Sequence, residues 1–279
     1  MTSGKPANWG DLGIRTLSAL VLVPVVIACI WLGGIWFQLF VLLLLTLVAR
    51  EWVSIVHPGN LLQYVLHLAS ALFGTAFPTL FGVGIAVLTI LGLALVAGLL
   101  VRFGNSKPSK WSYLGVCYVG FPAIALILLR SDPHYGALAL LWICFIVWSA
   151  DILAYFAGRI IGGPRLAPVI SPKKTWAGLC GAVAGSTLAS IIFAYFTHLN
   201  GIFALAVLAG GLALVEQAGD LFESALKRFH GVKDSGNLIP GHGGVIDRVD
   251  GLMAVAVVAA FIGFFHENGP GTAGGLLHW

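Results

Sequence analysis

Charge is scarce in this sequence. Its 279 residues carry 15 Lys+Arg and 11 Asp+Glu, so charged side chains make up only 9%, while hydrophobic residues reach 59%. Soluble domains carry roughly 25% charged residues. So few charges cannot cover a water-facing surface, which excludes a soluble globule, and the same composition excludes disorder. Polar sequence is short as well: nine spans of about 20 residues would use about 180 and leave roughly 100 for loops, too few for a sizeable soluble domain. Paired cysteines are missing. Cys29, Cys117, Cys144 and Cys180 stand singly in apolar surroundings without CxxC or Cys/His spacing, which argues against a disulfide framework or a zinc site and leaves lipid-facing or packing thiols. The first apolar run, Leu17 to Leu32, follows Lys5 and Arg15 but ends without an Ala-x-Ala type site, so it is expected to stay as a first helix. No internal repeat is found, which leaves an inverted-repeat transporter without support.

What is present is hydrophobicity, with a mean hydropathy of +0.97. The chain reads as an all-α, polytopic helix bundle with about nine transmembrane helices, placed near 16 to 33, 35 to 49, 64 to 80, 82 to 101, 112 to 129, 136 to 158, 176 to 196, 201 to 226 and 252 to 266. With a cytoplasmic amino terminus, every basic residue except Arg130 falls at a cytoplasmic loop or helix end, as the positive-inside rule expects. The carboxyl terminus then lies on the far side, and the glycine-rich tail, Gly269 to Gly275, is expected to be an external, mobile end. Loop orientation rather than nucleic-acid binding accounts for the net charge of +4. Low charge on the far side fits a bacterial inner membrane.

Polar residues concentrate late in the chain. Residues 151 to 250 hold seven of the 11 acids and eight of the 15 basic residues, so residues 1 to 149 read as membrane scaffold and 150 to 279 as the catalytic region. On the eighth expected helix Glu216, Asp220, Glu223 and Lys227 are spaced four, three and four apart, and Ser224 follows Asp220 by four, so they share one face. Ionisable groups inside a membrane are costly and mark functional pathways. Asp151, between Trp148 and Tyr155, is a second such group. The loop that follows interleaves cations with carboxylates: Lys227, Arg228, Lys233, Asp234, His242, Gly243, Gly244, Asp247, Arg248 and Asp250. Lys and Arg neutralise phosphate oxygens, glycine turns let backbone N–H groups approach an anion, and Asp oxygens suit a hard divalent cation such as Mg²⁺. The combination points to phosphoryl or nucleotidyl transfer.

These residues carry a resemblance. Ser224, Lys227-Arg228, Lys233-Asp234, Gly236, Pro240, His242-Gly243-Gly244 and Asp247-Arg248-x-Asp250 resemble the signature of the phosphatidate cytidylyltransferase (CDP-diacylglycerol synthase) family. Gly219-Asp220-Leu221-Phe222-Glu223-Ser224 and Ser171-Pro172-Lys173-Lys174-Thr175-Trp176 are similar to two further motifs of that family, and Ala150-Asp151, Ala154-Tyr155 and Gly158-Arg159 complete the set. The likeness covers residues 150 to 251 tightly. It departs at Ala177, where the family often has Glu.

The resemblance implies condensation of CTP with phosphatidic acid to CDP-diacylglycerol and pyrophosphate at the cytoplasmic membrane surface, by a homodimer bathed in membrane lipids, with no nucleic acid involved. It implies Mg²⁺ as cofactor, with room for a second, monovalent cation. Asp220 and Asp247 are then expected to bind the metal, with Glu223 and Asp250 next in rank. Lys227, Arg228 and Arg248 are expected to clamp phosphates, and Lys173, Lys174 and Lys233 to help bind substrate. Ser224 would hydrogen-bond a phosphate or support the metal, Asp151 would orient cations or substrate, and His242 is a base or part of a turn. Two rivals stay open: a transporter with an intramembrane acid path, and another CTP-dependent enzyme acting on a different lipid phosphate. The Asp-Gly…Ala-Arg pattern of the CDP-alcohol phosphotransferases is not found.

Overall fold

The structure is a computed structural model that describes residues 9–103, 110–236, 238, 243–266 and 271–279. Lys5, Lys107, Pro240, His242 and Gly269 lie outside the described residues. Nine long helices follow one another: α1 (Trp9–Leu32), α2 (Gly34–Val56), α3 (Leu61–Leu80), α4 (Val83–Phe103), α5 (Lys110–Ser131), α6 (Gly136–Ile160), α7 (Trp176–Thr197), α8 (Ile202–Phe229) and α9 (Ile246–Phe265). A hairpin, β1 (Arg165–Ala167) and β2 (Ser171–Thr175), joins α6 to α7, and a short helix, α10 (Gly271–Leu277), ends the chain. Among the described residues α2 to α9 are each long and apolar enough to cross a membrane, and α1 contributes the shorter apolar stretch Leu20–Leu32. Large apolar side chains point outward along them, Leu43, Leu88, Phe203 and Phe261 among them. In water such a surface would aggregate; in lipid it is the expected exterior. The chain is a multi-pass membrane protein.

Each of the nine expected helices has a counterpart among the described residues, eight of them long and apolar enough to span, with ends displaced in ways that matter. α2 runs on to Val56 rather than stopping near 49, and α9 starts at Ile246 rather than near 252, so Glu51, Asp247 and Asp250 are all helical. The helix bundle is as expected, and to it the structure adds the small β1–β2 hairpin, an antiparallel pair with Arg165 opposite Thr175 and Ala167 opposite Ser171. Turn residues such as Gly162, Gly163 and Pro164 hid it, since hydropathy has no purchase on so short a ladder.

The glycine-rich tail is corrected. From Gly271 onward it is a packed helix with Ala273, Leu276 and Leu277 buried. Glycine here permits close approach rather than motion: a Cβ on Gly275 would run into the Gly263 carbonyl of α9. Asp132 fixes the near end by accepting from the Gly274 N–H at 3.0 Å, besides the N–H groups of His134 and Tyr135 at 2.9 and 3.0 Å. On the same α5–α6 corner Arg130, the one basic residue off the expected side, has a structural task. Its Nε donates to the Ile30 carbonyl at 2.6 Å and its Nη2 to that of Trp31 at 3.2 Å, serving the last carbonyls of α1, where a cation is favoured.

The helices that carry the polar face are drawn together by small residues, as is usual where lipid supplies no hydrophobic drive. A Cβ on Gly181 of α7 would meet Leu153 and Ala157 of α6 at 2.6 and 2.5 Å. Between α8 and α9, a Cβ on Gly251 would meet Glu216 at 2.9 Å, and one on Gly219 would meet Ala254 at the same distance. These contacts bring the acids of α6, α8 and α9 to one end of the bundle.

Candidate active site

α8 supplies the spine of the site. Its face, predicted from the four-three-four spacing, presents Glu216, Asp220, Glu223 and Lys227 to α7, α9 and the hairpin. Asp220, Glu223 and Asp250 form the centre: each offers a carboxylate oxygen, and these oxygens all lie within 4.8 Å of one another. Glu223 is buried, with Oε2 on Lys227 Nζ at 2.7 Å. Its Oε1 is buried and makes no hydrogen bond among the described residues. Three carboxylates so close repel one another strongly in a medium of low dielectric. A buried carboxylate with an unpartnered oxygen in an all-oxygen donor set suits a hard divalent cation such as Mg²⁺, so the residues present fit that ion. The hydroxyl of Tyr118 on α5 is buried and unpartnered among the described residues, and these same acids act on it electrostatically.

Asp247, paired with Asp220 in the sequence reading, has other partners. Its Oδ1 takes Lys227 Nζ at 2.6 Å, and its Oδ2 accepts from Ser235 N at 3.1 Å, Ser235 Oγ at 2.9 Å and Gly244 N at 3.0 Å. Lys227 therefore bridges Glu223 and Asp247 instead of facing a free phosphate, and the Gly244 N–H that the sequence offered to an anion is spent on Asp247. The His-Gly-Gly turn has a steric reason besides. Gly243 sits at φ +85°, and a Cβ on Gly244 would run into Ser235 Oγ. Ser224 Oγ donates to Asp220 Oδ1 at 3.4 Å, a long contact that supports the carboxylate.

Asp220 also faces a cavity of about 420 Å³ lined by Asp151, Tyr155, Arg159, Lys173, Lys174, Thr175 and Gln217. The hairpin delivers the two lysines. Lys174 Nζ lies 2.6 Å from Asp220 Oδ2 and 2.8 Å from Gln217 Oε1, and Gln217 Nε2 donates to Glu216 Oε2 at 2.7 Å. Lys173 is exposed at the lip of the cavity. Thr175 caps α7 by accepting from Gly178 N at 3.0 Å, which fixes the end of the hairpin. Arg228 is exposed, with Nε donating to the Ile170 carbonyl at 3.4 Å. Lys233 is exposed too, and Arg248 is the exposed residue of the first turn of α9, close enough to Asp151 to act on its charge.

Sequence reasoning missed Glu51, Gln217 and Tyr118. Glu51 is the most consequential: 3% exposed on α2, it accepts hydrogen bonds from Ser235, Val245 and Ile246. The division into a front scaffold and a rear catalytic region is crossed there. An acid inside the last two turns of an apolar helix was the available signal, since a helix that only spans the membrane has no use for one.

Comparison with known proteins agrees with the chemistry of these groups. Residues 13–266 match the model of the family described as "Cytidylyltransferase family". The chain is similar to the phosphatidate cytidylyltransferase of Brucella abortus, with 38% identity over 266 residues, or 91% of this chain and 93% of that protein. It is also similar to the phosphatidate cytidylyltransferases of Rickettsia bellii, with 32% identity covering 92% and 93%, and of Staphylococcus haemolyticus, with 31% covering 87% and 95%.

Proposed function

This chain belongs to the cytidylyltransferase family and is a nucleotidyltransferase, and from that premise we propose that it moves the CMP unit of CTP onto phosphatidic acid, giving CDP-diacylglycerol and pyrophosphate. The observation that carries the reading is the sharing of Asp220 between a three-carboxylate cluster and a cavity rimmed by Arg159, Lys173 and Lys174. A nucleoside triphosphate with its divalent cation requires that pairing of acids and cations. A lipid phosphate also needs the site at a bundle end reachable from the bilayer.

An oxygen of the lipid phosphate attacks the α-phosphorus of CTP. The new P–O bond forms as the bond to the β-phosphate bridging oxygen breaks, and that oxygen leaves with its electron pair on pyrophosphate. The nucleophile is already an anion and needs little help from a base; the task is to align several negative charges and neutralise them. Asp220, Glu223 and Asp250 would hold Mg²⁺, which when bound supplies charge neutralisation between phosphate oxygens and leaving group. Lys173 and Arg159 line the cavity as phosphate contacts, Arg228 at the hairpin and Arg248 beside Asp151 would add positive charge near it, and Lys233 would add to the basic surface of the loop that follows α8. Lys174 and Lys227 act through the carboxylates they hold, keeping Asp220 and Asp247 in place. Asp151 faces the same cavity and orients these cations. The basic loop ends support a site on the cytoplasmic side of an inner membrane. Cysteine placed at exposed Lys233 should then label from that side only, and cysteine at His134 only from the other.

Purified protein in detergent, given CTP labelled at either the α- or the γ-phosphate, tests the reaction. With phosphatidic acid present, α-label should enter the lipid and γ-label should appear in pyrophosphate. Turnover with a different lipid phosphate but not this one would change the acceptor. Ion flux in vesicles without any turnover would replace the enzyme by a transporter.

A further inference from the structure

Glu51 lies in α2, far along the chain from every motif residue, yet it reaches the loop that follows α8. Its Oε1 accepts from Val245 N at 2.8 Å; its Oε2 accepts from Ile246 N at 2.9 Å and from Ser235 Oγ at 2.9 Å. Val245 stands at the N-cap of α9, where its side chain makes no capping hydrogen bond. The first N–H groups of a helix need acceptors, and an anion is favoured at that end. Glu51 therefore caps α9 from another helix. The fit is close: a Cβ on Gly236 would meet Glu51 Oε1 at 2.6 Å, and one on Gly244 would meet Oε2 at 2.7 Å.

The same carboxylate secures both ends of the loop, with Ser235 at its start and Val245 and Ile246 at its end. Ser235 Oγ stands 2.9 Å from Glu51 Oε2 and 2.9 Å from Asp247 Oδ2, so its single proton links the two acids. Asp247 in turn holds Lys227, and Asp250 follows Ile246 by one helical turn on α9. Loss of the anchor would free the first turn of α9, and with it one member of the carboxylate cluster and the partner of Lys227.

We infer that Glu51 is a positioning residue for the transfer reaction, fixing Ser235, Val245 and the first turn of α9 so that Asp250 and Lys227 stay in register with Asp220 and Glu223. This rests on the function proposed above. The test combines hydrogen exchange without substrates and steady-state kinetics on the full-length protein in detergent. Glu51→Gln keeps the shape but turns one acceptor into a donor facing N–H groups. It should speed exchange of the Val245 and Ile246 amides at least tenfold, leave α5 peptides unchanged, and raise both the KM for CTP and the half-saturating Mg²⁺ concentration at least tenfold. Glu51→Asp, one methylene short but still an acceptor, should fall between that variant and wild type. Ser235→Ala removes one of the three bonds and should give the same signature at smaller amplitude, which covers the case in which Glu51→Gln does not fold. Unchanged exchange in these variants would overturn the anchor. Faster exchange with unaltered KM and Mg²⁺ dependence would overturn the positioning role, leaving a cap that serves stability alone. An inactive wild type with accelerated exchange in Glu51→Gln would instead count against the proposed function.

Discussion

Replacing Lys227 by methionine removes a cation shared by Glu223 and Asp247, at 2.7 and 2.6 Å from its Nζ. Methionine fills much of the same volume, so the perturbation is chiefly electrostatic. Lys227 and its partners are largely shielded, with side-chain exposures of 14%, 2% and 12%. At an effective dielectric near 20, each charge pair at about 4 Å is worth about 4 kcal/mol before desolvation. Removal of one partner from a buried pair typically costs about 3 to 5 kcal/mol, because the remaining charge is left uncompensated. Lys227→Met should therefore lower the free energy of unfolding by about 3 kcal/mol or more, measured by tryptophan fluorescence during titration with SDS in mixed micelles. Turnover should fall at least tenfold, since Asp247 loses its grip on the helix that carries Glu223. Adding Glu223→Gln should restore part of the stability but none of the activity, with a coupling of about 0.5 to 3 kcal/mol. A cost below about 1 kcal/mol for Lys227→Met, or full additivity of the two changes, would refute the bridging role and return Lys227 to the task of clamping phosphate.

Two further outcomes follow from local geometry. Ala177→Glu, which restores the acid common in the family, should change the KM for CTP or phosphatidic acid by less than about tenfold, equivalent to about 1.4 kcal/mol. Lys174 is already held by Asp220 and Gln217, so the added carboxylate is not needed to position it and gains only about 0.3 to 1 kcal/mol from the first turn of α7; a hundredfold rise in turnover would contradict this. His57 gives a pH dependence of stability. Burial, and then the nearby His230, push its pKa below the ordinary 6.5, and its Nε2 lies 2.7 Å from Ser112 Oγ. The unfolded chain takes up this proton at about 6.5 and the folded chain only at lower pH, so the contribution is complete above 6.5 and declines as the pH falls below it. His57→Gln should flatten the acid side of the plot of unfolding free energy against pH; an unchanged profile would assign the slope to other groups.

Much of this was legible in the sequence, for identifiable reasons. Hydropathy locates the helices because every span must be apolar over its whole length, and the four-three-four spacing on α8 puts Asp220 and Glu223 together because the helical repeat leaves them no choice. What spacing could not convey is which acid meets which from another helix. Asp250 rather than Asp247 joins the α8 pair because α9 begins at Ile246, nearly two turns earlier than apolar content alone marks it, and because Ser235 and Gly244 claim Asp247. Glu51 escaped because a single acid has no period, and its partners lie 184 to 195 positions away. The tail was misjudged because glycine encodes both freedom and close approach, and only the neighbouring Gly263 carbonyl decides between them.

The central claim is that Asp220, Glu223 and Asp250 together hold the divalent cation on which transfer depends. Its most direct test is binding of Mn²⁺, followed by electron paramagnetic resonance, to the purified protein without CTP or lipid. The account predicts one site that Mg²⁺ displaces and that Glu223→Gln or Asp250→Asn each weakens at least tenfold. Undiminished Mn²⁺ binding in both variants, with loss only in Asp247→Asn, would contradict it and move the site to Asp247.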